Sequence, residues 1–396
     1  MTIAPPTDPI AAVTHPDPYP YYRDLVARAP MRRDEALGLW VAASADAVTA
    51  ALASPRGRVR PAAEPVPAAL AGSPAAEIFG RLVRMTDGPG QVAMKQAVSA
   101  TLSSGLAARI LEPAERWARR LAEKIDARSS LARLDQFAFE LSAHVLGHLL
   151  GIPDEALPSA ARGVAGYTAG VAPGADAARV ARGQVAAGLL IELVGALSTD
   201  RVPHAQASLT LILQREASRA GYPDPAAVVA NAIGFMTQAY EATAGLVGNT
   251  LLALAAHPEL RARVEGAPAL LREVIREVLR HDPPVHNTRR FIATDGAIAG
   301  QRVAAGDTVL VVLAAANHDP AANPHPERFD VARVDRRTFT FGDAIHACPG
   351  EQLAIAIAEA GVAQLLARGV PLGALREATR YRPSGATRVP LFGSAG

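Results

Sequence analysis

Apolar side chains return every three or four positions over most of this chain, the period of helices packed along one face. The pattern dominates from 111 to 220 and breaks near 151–153 and 221–223, where glycine and proline stop helices. It resumes near Pro225 and runs to about Ala256 as one long element. No Lys or Arg occurs from 226 to 257, yet Asn231, Gln238, Glu241 and Asn249 interrupt the stretch. That combination predicts a buried core helix and not a membrane span. A short helix over 257–264 follows, then a strongly amphipathic one over 268–280. Its stripe is Leu270, Leu271, Val274, Ile275, Val278 and Leu279. A last apolar-periodic helix begins after Gly350, with Leu353, Ile357, Ala360 and Leu366 on related faces.

Strand signals are few and short. Residues 30–42, with Leu37, Leu39, Trp40 and Val41, predict two strands around a turn. Residues 304–315 predict a hairpin turning at 305–307, and a strand pair is expected around 384–387. Before these lie a Pro-rich arm over 1–20, a short helix over 22–29 ending before Pro30, and a helix over 44–53 capped by Ser44. Residues 54–77 have no period and read as a loop, and a helix is predicted within 85–102 after a Gly-Pro turn. The fold class is therefore mainly α with a small β-rich lobe.

Composition narrows the function. Among 396 residues, 40 are Lys or Arg and 38 Asp or Glu, a formal net charge of +2, with no basic run interleaved with aromatics. Nucleic-acid binding is not expected. A hydrophobic share of 49% with 20% charged residues is that of a soluble globular chain. The N-terminus has no charged region followed by an apolar core, so neither a leader nor a membrane anchor is expected. A single cysteine excludes an internal disulfide and fits a reducing cytoplasm.

That cysteine, Cys348, carries the chemistry. Alone, it would be a small buried hydrophobe. It lies, however, on a loop bounded by Gly342 and Gly350, at the start of a helix, with Phe341 leading in and His346 two residues before it. Free amides and the positive helix end there favour a thiolate, a soft ligand for iron. The run FGDAIHACPG resembles the haem-binding loop of the cytochrome P450 family, F-G-x-G-x-H-x-C-x-G, with Ala344 in place of the second glycine. The resemblance implies the cytochrome P450 fold as one domain over 1–396, and Cys348 as the axial thiolate of haem b. It also implies that His346 bonds a haem propionate and that Phe341 shields the sulfur. Ala344 is expected to be tolerated, since many backbone positions accept alanine.

Further segments match in the same order, so that the resemblance spans roughly 85–392. The family's D-P-P-x-H-x-x-x-R appears as Asp87, Gly88, Pro89, Gln91 and Lys95. Lys95 then stands for the arginine that reaches a propionate, although by itself it reads as a solvated lysine. The family's A-G-x-[DE]-T-[TS] appears with Glu241 and Thr243 in place, but with Gln238, Ala239 and Ala242 elsewhere. Ala242 replaces the threonine that helps deliver protons to oxygen. Protons must enter an apolar pocket by a hydroxyl, a carboxylate or water. Gln238 lies three residues before Glu241, so the two with water, or a polar group of the substrate, are expected to replace the threonine. Glu277 and Arg280 match E-x-x-R, and Arg328 in P-x-R-F is the implied third member of a buried structural network. Arg290 aligns with a propionate-binding arginine, with Arg289 as its competitor. Thr237, Val285, His286 and Asn287 are expected to face the substrate, although His286 and Asn287 can equally turn away.

The resemblance implies a haem-thiolate monooxygenase that acts on a small molecule with electrons from a ferredoxin and ferredoxin reductase, as a cytoplasmic monomer without membrane contact. Ala242 motivates an alternative, a peroxide-driven or oxidative-coupling enzyme on the same scaffold. A remoter one is a non-catalytic haem sensor. The aromatic share of 5% and the aliphatic Leu82, Val83 and Val285 point to an aliphatic substrate.

Overall fold

The long apolar stretch folds as a single helix, Pro225–Ala256. Asp224 caps it by accepting from Ala226 N at 2.9 Å, and Pro225 occupies the first turn, where its missing N–H costs nothing. Helices Pro74–Arg81, Leu131–Leu150, Leu270–His281 and Glu351–Ala367 pack around it and form the main core. The structure, a computed structural model, describes residues 4–103, 106–124, 131–198 and 208–393. No single helix among them is long and apolar enough to cross a membrane.

The amphipathic stripe over 268–280 becomes helix Leu270–His281, burying Leu271, Val274, Ile275, Val278 and Leu279 as the spacing requires. Ser44 caps helix Ala45–Ala53 by accepting from Ala47 N at 3.2 Å. The loop over 54–77 is largely irregular but contains a two-residue strand and the start of helix Pro74–Arg81.

The described strands are Met31–Asp34 (β1), Leu39–Ala42 (β2), Gly57–Arg58 (β3), Thr288–Ile292 (β4), Gly296–Ile298 (β5), Gln301–Val303 (β6), Thr308–Val311 (β7), Arg380–Tyr381 (β8) and Pro390–Leu391 (β9). Five form one sheet in the order β1-β2-β7-β4-β3, while β5 pairs with β6 and β8 with β9. The small lobe is thus built from both ends of the sequence. The hairpin expected over 304–315 does not form. β6 pairs back onto β5, and β7 instead runs parallel to β2 and antiparallel to β4. The apolar run also leaves the strand after Val311 and becomes helix Leu313–Asn317. The apolar, fully buried Val309–Val311 of β7 suit a strand between two others, which local pattern alone cannot distinguish from a hairpin arm.

The N-terminal arm is fixed by a buried polar cluster. Arg388 is 1% exposed and donates to Asp282 Oδ1 at 2.8 Å, Val13 O at 3.0 Å and His15 O at 2.7 Å. Tyr19 donates to the same Asp282 carboxylate and stacks on His318 with ring centres 4.4 Å apart. His286 belongs to this cluster: its Nδ1 lies 2.8 Å from Tyr22 Oη and its ring is fully buried. Its ring is taken up by this cluster, the turned-away orientation of the two that the sequence left open.

Burial, and secondarily Arg388, pushes His286 down to about 3, while burial and the neighbouring His281 push His318 to about 3. Both therefore stay neutral in the folded protein down to that pH. Unfolded histidines take up protons below about 6.5, so acid stabilises only the unfolded chain and stability falls between about pH 6.5 and 3. Each histidine accounts for a loss of about 2 kcal/mol by pH 5. Denaturation midpoints at pH 7.5 and 5 should differ accordingly, and His286→Gln should reduce that difference. An unchanged pH dependence in the variant would remove His286 as its source.

Candidate active site

Two aromatic-led hydrogen bonds fold the Cys348 loop. Gly342 N donates to Phe339 O at 2.8 Å and Cys348 N to Phe341 O at 2.7 Å. Gly350 N points at Cys348 Sγ from 3.4 Å, just before helix Glu351–Ala367, so the sulfur faces backbone donors at the helix start. Cys348 is accessible. Ala344 has φ +58°, a left-handed conformation that explains why a glycine suits this position. The alanine is tolerated at a backbone cost on the order of 1 kcal/mol. Asp343 Oδ1 accepts from Ala344 N at 2.7 Å and offsets part of that.

A network beneath the loop ties it to helix Leu270–His281. Asn317 Oδ1 accepts from Phe339 N at 2.7 Å, and Thr340 Oγ1 donates to Leu279 O at 2.6 Å. Glu277 and Arg280 are both fully buried and joined by bonds of 3.0 and 2.6 Å. The third member is Arg336, whose Nε lies 2.9 Å from Glu277 Oε2, with Arg333 at 3.7 Å from Oε1. Arg328 is not that member. Its side chain is 72% exposed and only its carbonyl takes part, accepting from Arg280 Nη2 at 3.0 Å. The P-x-R-F turn directs its carbonyls inward and its guanidinium outward.

Asp87 organises the cations flanking Cys348. It accepts from Val59 N at 3.0 Å and lies 3.2 Å from His346 Nε2. Burial works to raise its pKa, but the bonds from His346 and Val59 and the nearby charges hold it below the usual carboxylate range. Lys95 donates to Ala347 O, beside the cysteine, and burial lowers its pKa against the pull of Cys348. Arg290 is buried and its pKa is likewise lowered by burial, with Asp87 opposing. Arg289, its competitor, is exposed. Neither Lys95 nor Arg290 forms an ion pair among the described residues.

Across from the loop, the long helix is buried from 230 to 251 except for 238–242. This partly exposed window contains Gln238, Glu241 and Ala242. Glu241 Oε2 accepts from Thr387 Oγ1 at 2.9 Å, and Oε1 pairs with Arg382 at 3.2 Å. Gln238 is not its partner: the amide lies back against Gly234, where an added Cβ would stand 2.8 Å from Nε2. Thr237 and Thr243 are buried with hydroxyls lacking partners. Asn287 is buried and donates to Gly385 O at 2.8 Å, so its amide is spent on the C-terminal loop. Val285 bridges to Thr387 and packs against the sheet core. A separate open depression, lined by Arg33, Trp40, Asp295 and Asp307, lies at the edge of the small lobe, away from Cys348.

Sequence reasoning missed Arg336, Arg382 and Arg84, and named Thr387 only as part of the C-terminal strand pair around 384–387. Arg336, Arg382 and Thr387 act through contacts 59 to 146 positions away, which no local pattern reports. Arg84, in the turn Val83–Met85, is accessible although protein surrounds its guanidinium. That combination marks a side chain inside a hollow. Burial lowers its pKa, while Cys348, Tyr167 and Glu241 oppose the shift. Cys348, Tyr167 and Glu241 thus all lie within electrostatic reach of Arg84.

The residues present suit an iron porphyrin. A reachable thiol provides a soft axial ligand, and the enclosed Lys95 and Arg290, without counter-ions of their own, suit the carboxylates on the porphyrin rim. The family model for Cytochrome P450 matches residues 269–368. The chain is 33% identical over 282 residues to the C-19 steroid 1alpha-hydroxylase of Sorangium cellulosum, covering 68% of this chain and 69% of that protein. It is 31% identical over 265 residues to the vitamin D(3) 25-hydroxylase of Pseudonocardia autotrophica, covering 65% and 64%. The alignments with such curated relatives span between 35% and 69% of their length. Among solved structures, CalO2 superposes with a TM-score of 0.82 at 25% identity, over 98% of this chain and 97% of that one. Identity sustained over two thirds of both chains exceeds what a shared architecture requires, and the protein belongs to the cytochrome P450 family of haem-thiolate monooxygenases.

Proposed function

We propose that the chain, acting as one domain and a cytoplasmic monomer, binds haem b through Cys348. It inserts one oxygen atom from dioxygen into a small organic substrate, with electrons from a ferredoxin and its reductase. The observation that carries this reading is the accessible Cys348 thiol on its Gly-bounded loop, with the enclosed cations Lys95 and Arg290 that have no ion-pair partner among the described residues. When bound, the haem supplies the activation of dioxygen and the oxygen transfer.

The chain's own residues hold, orient and protonate. Lys95, His346 and Arg290 take the propionates. Phe341, Gly342 and Gly350 shape the cradle, where an added Cβ at Gly350 would lie 3.5 Å from Cys348 Sγ. Glu241 moves protons in place of the hydroxyl missing at Ala242. Its carboxylate is 23% exposed and its partner Arg382 30%, which gives a polar route between solvent and the hollow. Thr387 Oγ1, itself 2.9 Å from Ser384 Oγ, holds one carboxylate oxygen in place. Release from Arg382 frees the other to turn inward.

Glu241→Gln should lower turnover about 100-fold, the low end for losing a positioned acid, and divert electrons to reduced oxygen while substrate affinity stays unchanged. Coupling measured with a surrogate ferredoxin checks this. Wild-type coupling in the variant would remove Glu241 from the route. Ala242 favours a second reading, peroxide-driven oxidation, because a peroxide brings its own protons. Turnover with hydrogen peroxide at the rate reached with the reductase would select it.

A further inference from the structure

Arg84 is a cation outside the set proposed above for the haem, in which Lys95, His346 and Arg290 are assigned to the two carboxylates of a porphyrin. Arg84 is placed differently. Val83 N donates to Asn231 Oδ1 at 2.9 Å, and Asn231 Nδ2 donates to Arg81 O at 2.8 Å. These bonds pin residues 81–83 onto the long helix. Leu82 Cδ2 then lies against Gly234, where an added Cβ would stand 2.8 Å from it and equally close to Gln238. Asn231, Gly234, Gln238 and Glu241 follow one another at helical spacing on a single face. Arg84 therefore leaves the turn beside this face of the long helix. It forms no hydrogen bond or ion pair among the described residues, and Glu241 is already engaged by Arg382 and Thr387.

A second observation lies on the neighbouring helix, Leu157–Gly170. Tyr167 is 2% exposed, and its hydroxyl has no hydrogen-bond partner. A buried hydroxyl without a partner is costly, so such a group implies something that fills it. Helix Leu157–Gly170 packs on the same long helix that the Arg84 turn is pinned to, and the Arg84 charge opposes the upward push of burial on the phenol.

We propose that Arg84 and the Tyr167 hydroxyl anchor a carboxylate, so that the substrate is an organic acid. Its carboxylate is held at the roof of the hollow and its apolar body extends toward Cys348. A guanidinium fork matches the two oxygens of a carboxylate, and the phenol adds a third donor. A phosphate dianion would need further positive charge, which this roof lacks. Leu82 in this turn and Ala242 on the helix supply aliphatic surface for the body of such an acid. The proposal rests on reading the hollow above Cys348 as the substrate site.

Calorimetric titration of the purified holoprotein tests it, with decanoate, dodecanoate and 4-phenylbutyrate, each beside its primary amide. The acids should bind more tightly than the amides. Arg84→Gln should weaken the acids roughly 10- to 100-fold, as expected for a lost charge-assisted pair, and the amides less than about 3-fold. Arg84→Lys should restore part of the difference, and Tyr167→Phe should weaken the acids about 5-fold. Amides that bind as well as acids, acids that do not bind, or equal losses for both in Arg84→Gln overturn the proposal. Loss of haem from Arg84→Gln overturns it too, since Arg84 would then serve a propionate. A wild-type reduced carbon monoxide complex without the thiolate-type band instead overturns the haem-thiolate reading, and the calorimetry does not depend on that band.

Discussion

Replacing Cys348 by serine should abolish the red-shifted Soret band of the reduced carbon monoxide complex and reduce turnover roughly 1000-fold, about 4 kcal/mol of transition-state stabilisation. The sulfur is the only soft donor in the loop, and a serine hydroxyl is neither soft nor ionised near neutrality. The cradle itself should survive. Cys348 N still reaches Phe341 O at 2.7 Å, Phe339 N still reaches Asn317 Oδ1 at 2.7 Å, and Lys95 and Arg290 remain to hold a porphyrin rim. The variant should therefore fold and retain pigment with an altered spectrum. An unchanged band with unchanged turnover would show that the iron takes its axial ligand elsewhere.

How much of this was legible depends on the range over which each feature is determined. Helix Pro225–Ala256 was readable because its cap, first-turn proline and apolar run are all local. So was helix Leu270–His281, whose stripe fixes its buried face, and so was the Gly-bounded cysteine loop. His286 was not readable. In extended chain, neighbours point to opposite sides, and its side is chosen by Tyr22, 264 positions away. Glu241 matched a pattern, but its partners Thr387 and Arg382 return from the C-terminal segment. Arg84 looked like any turn arginine, because its enclosure arises only when residues 81–83 are pinned to Asn231. The backbone cost at Ala344 was not readable, because a backbone angle leaves no mark on composition.

Arg336→Ala should destabilise the protein by about 3–5 kcal/mol, whereas Arg328→Ala should change stability by less than about 0.5 kcal/mol. The two arginines lie in the same loop, but only Arg336 satisfies Glu277. That carboxylate is fully buried and accepts from Arg280, from Arg336 and, at 3.1 Å, from Asp330 N. Removing Arg336 strips Oε2 of its charged partner in a place water does not reach, which is the expensive way to break a buried pair. The damage should spread to the cysteine loop. Arg280 also holds Pro326 O at 2.8 Å and Arg328 O at 3.0 Å, and those carbonyls shape the segment that leads into Phe339 and Thr340. Haem should then dissociate at lower denaturant from Arg336→Ala than from the wild type, while Arg328→Ala should keep both midpoints. Equal destabilisation by the two substitutions would mean that the P-x-R-F guanidinium turns inward after all.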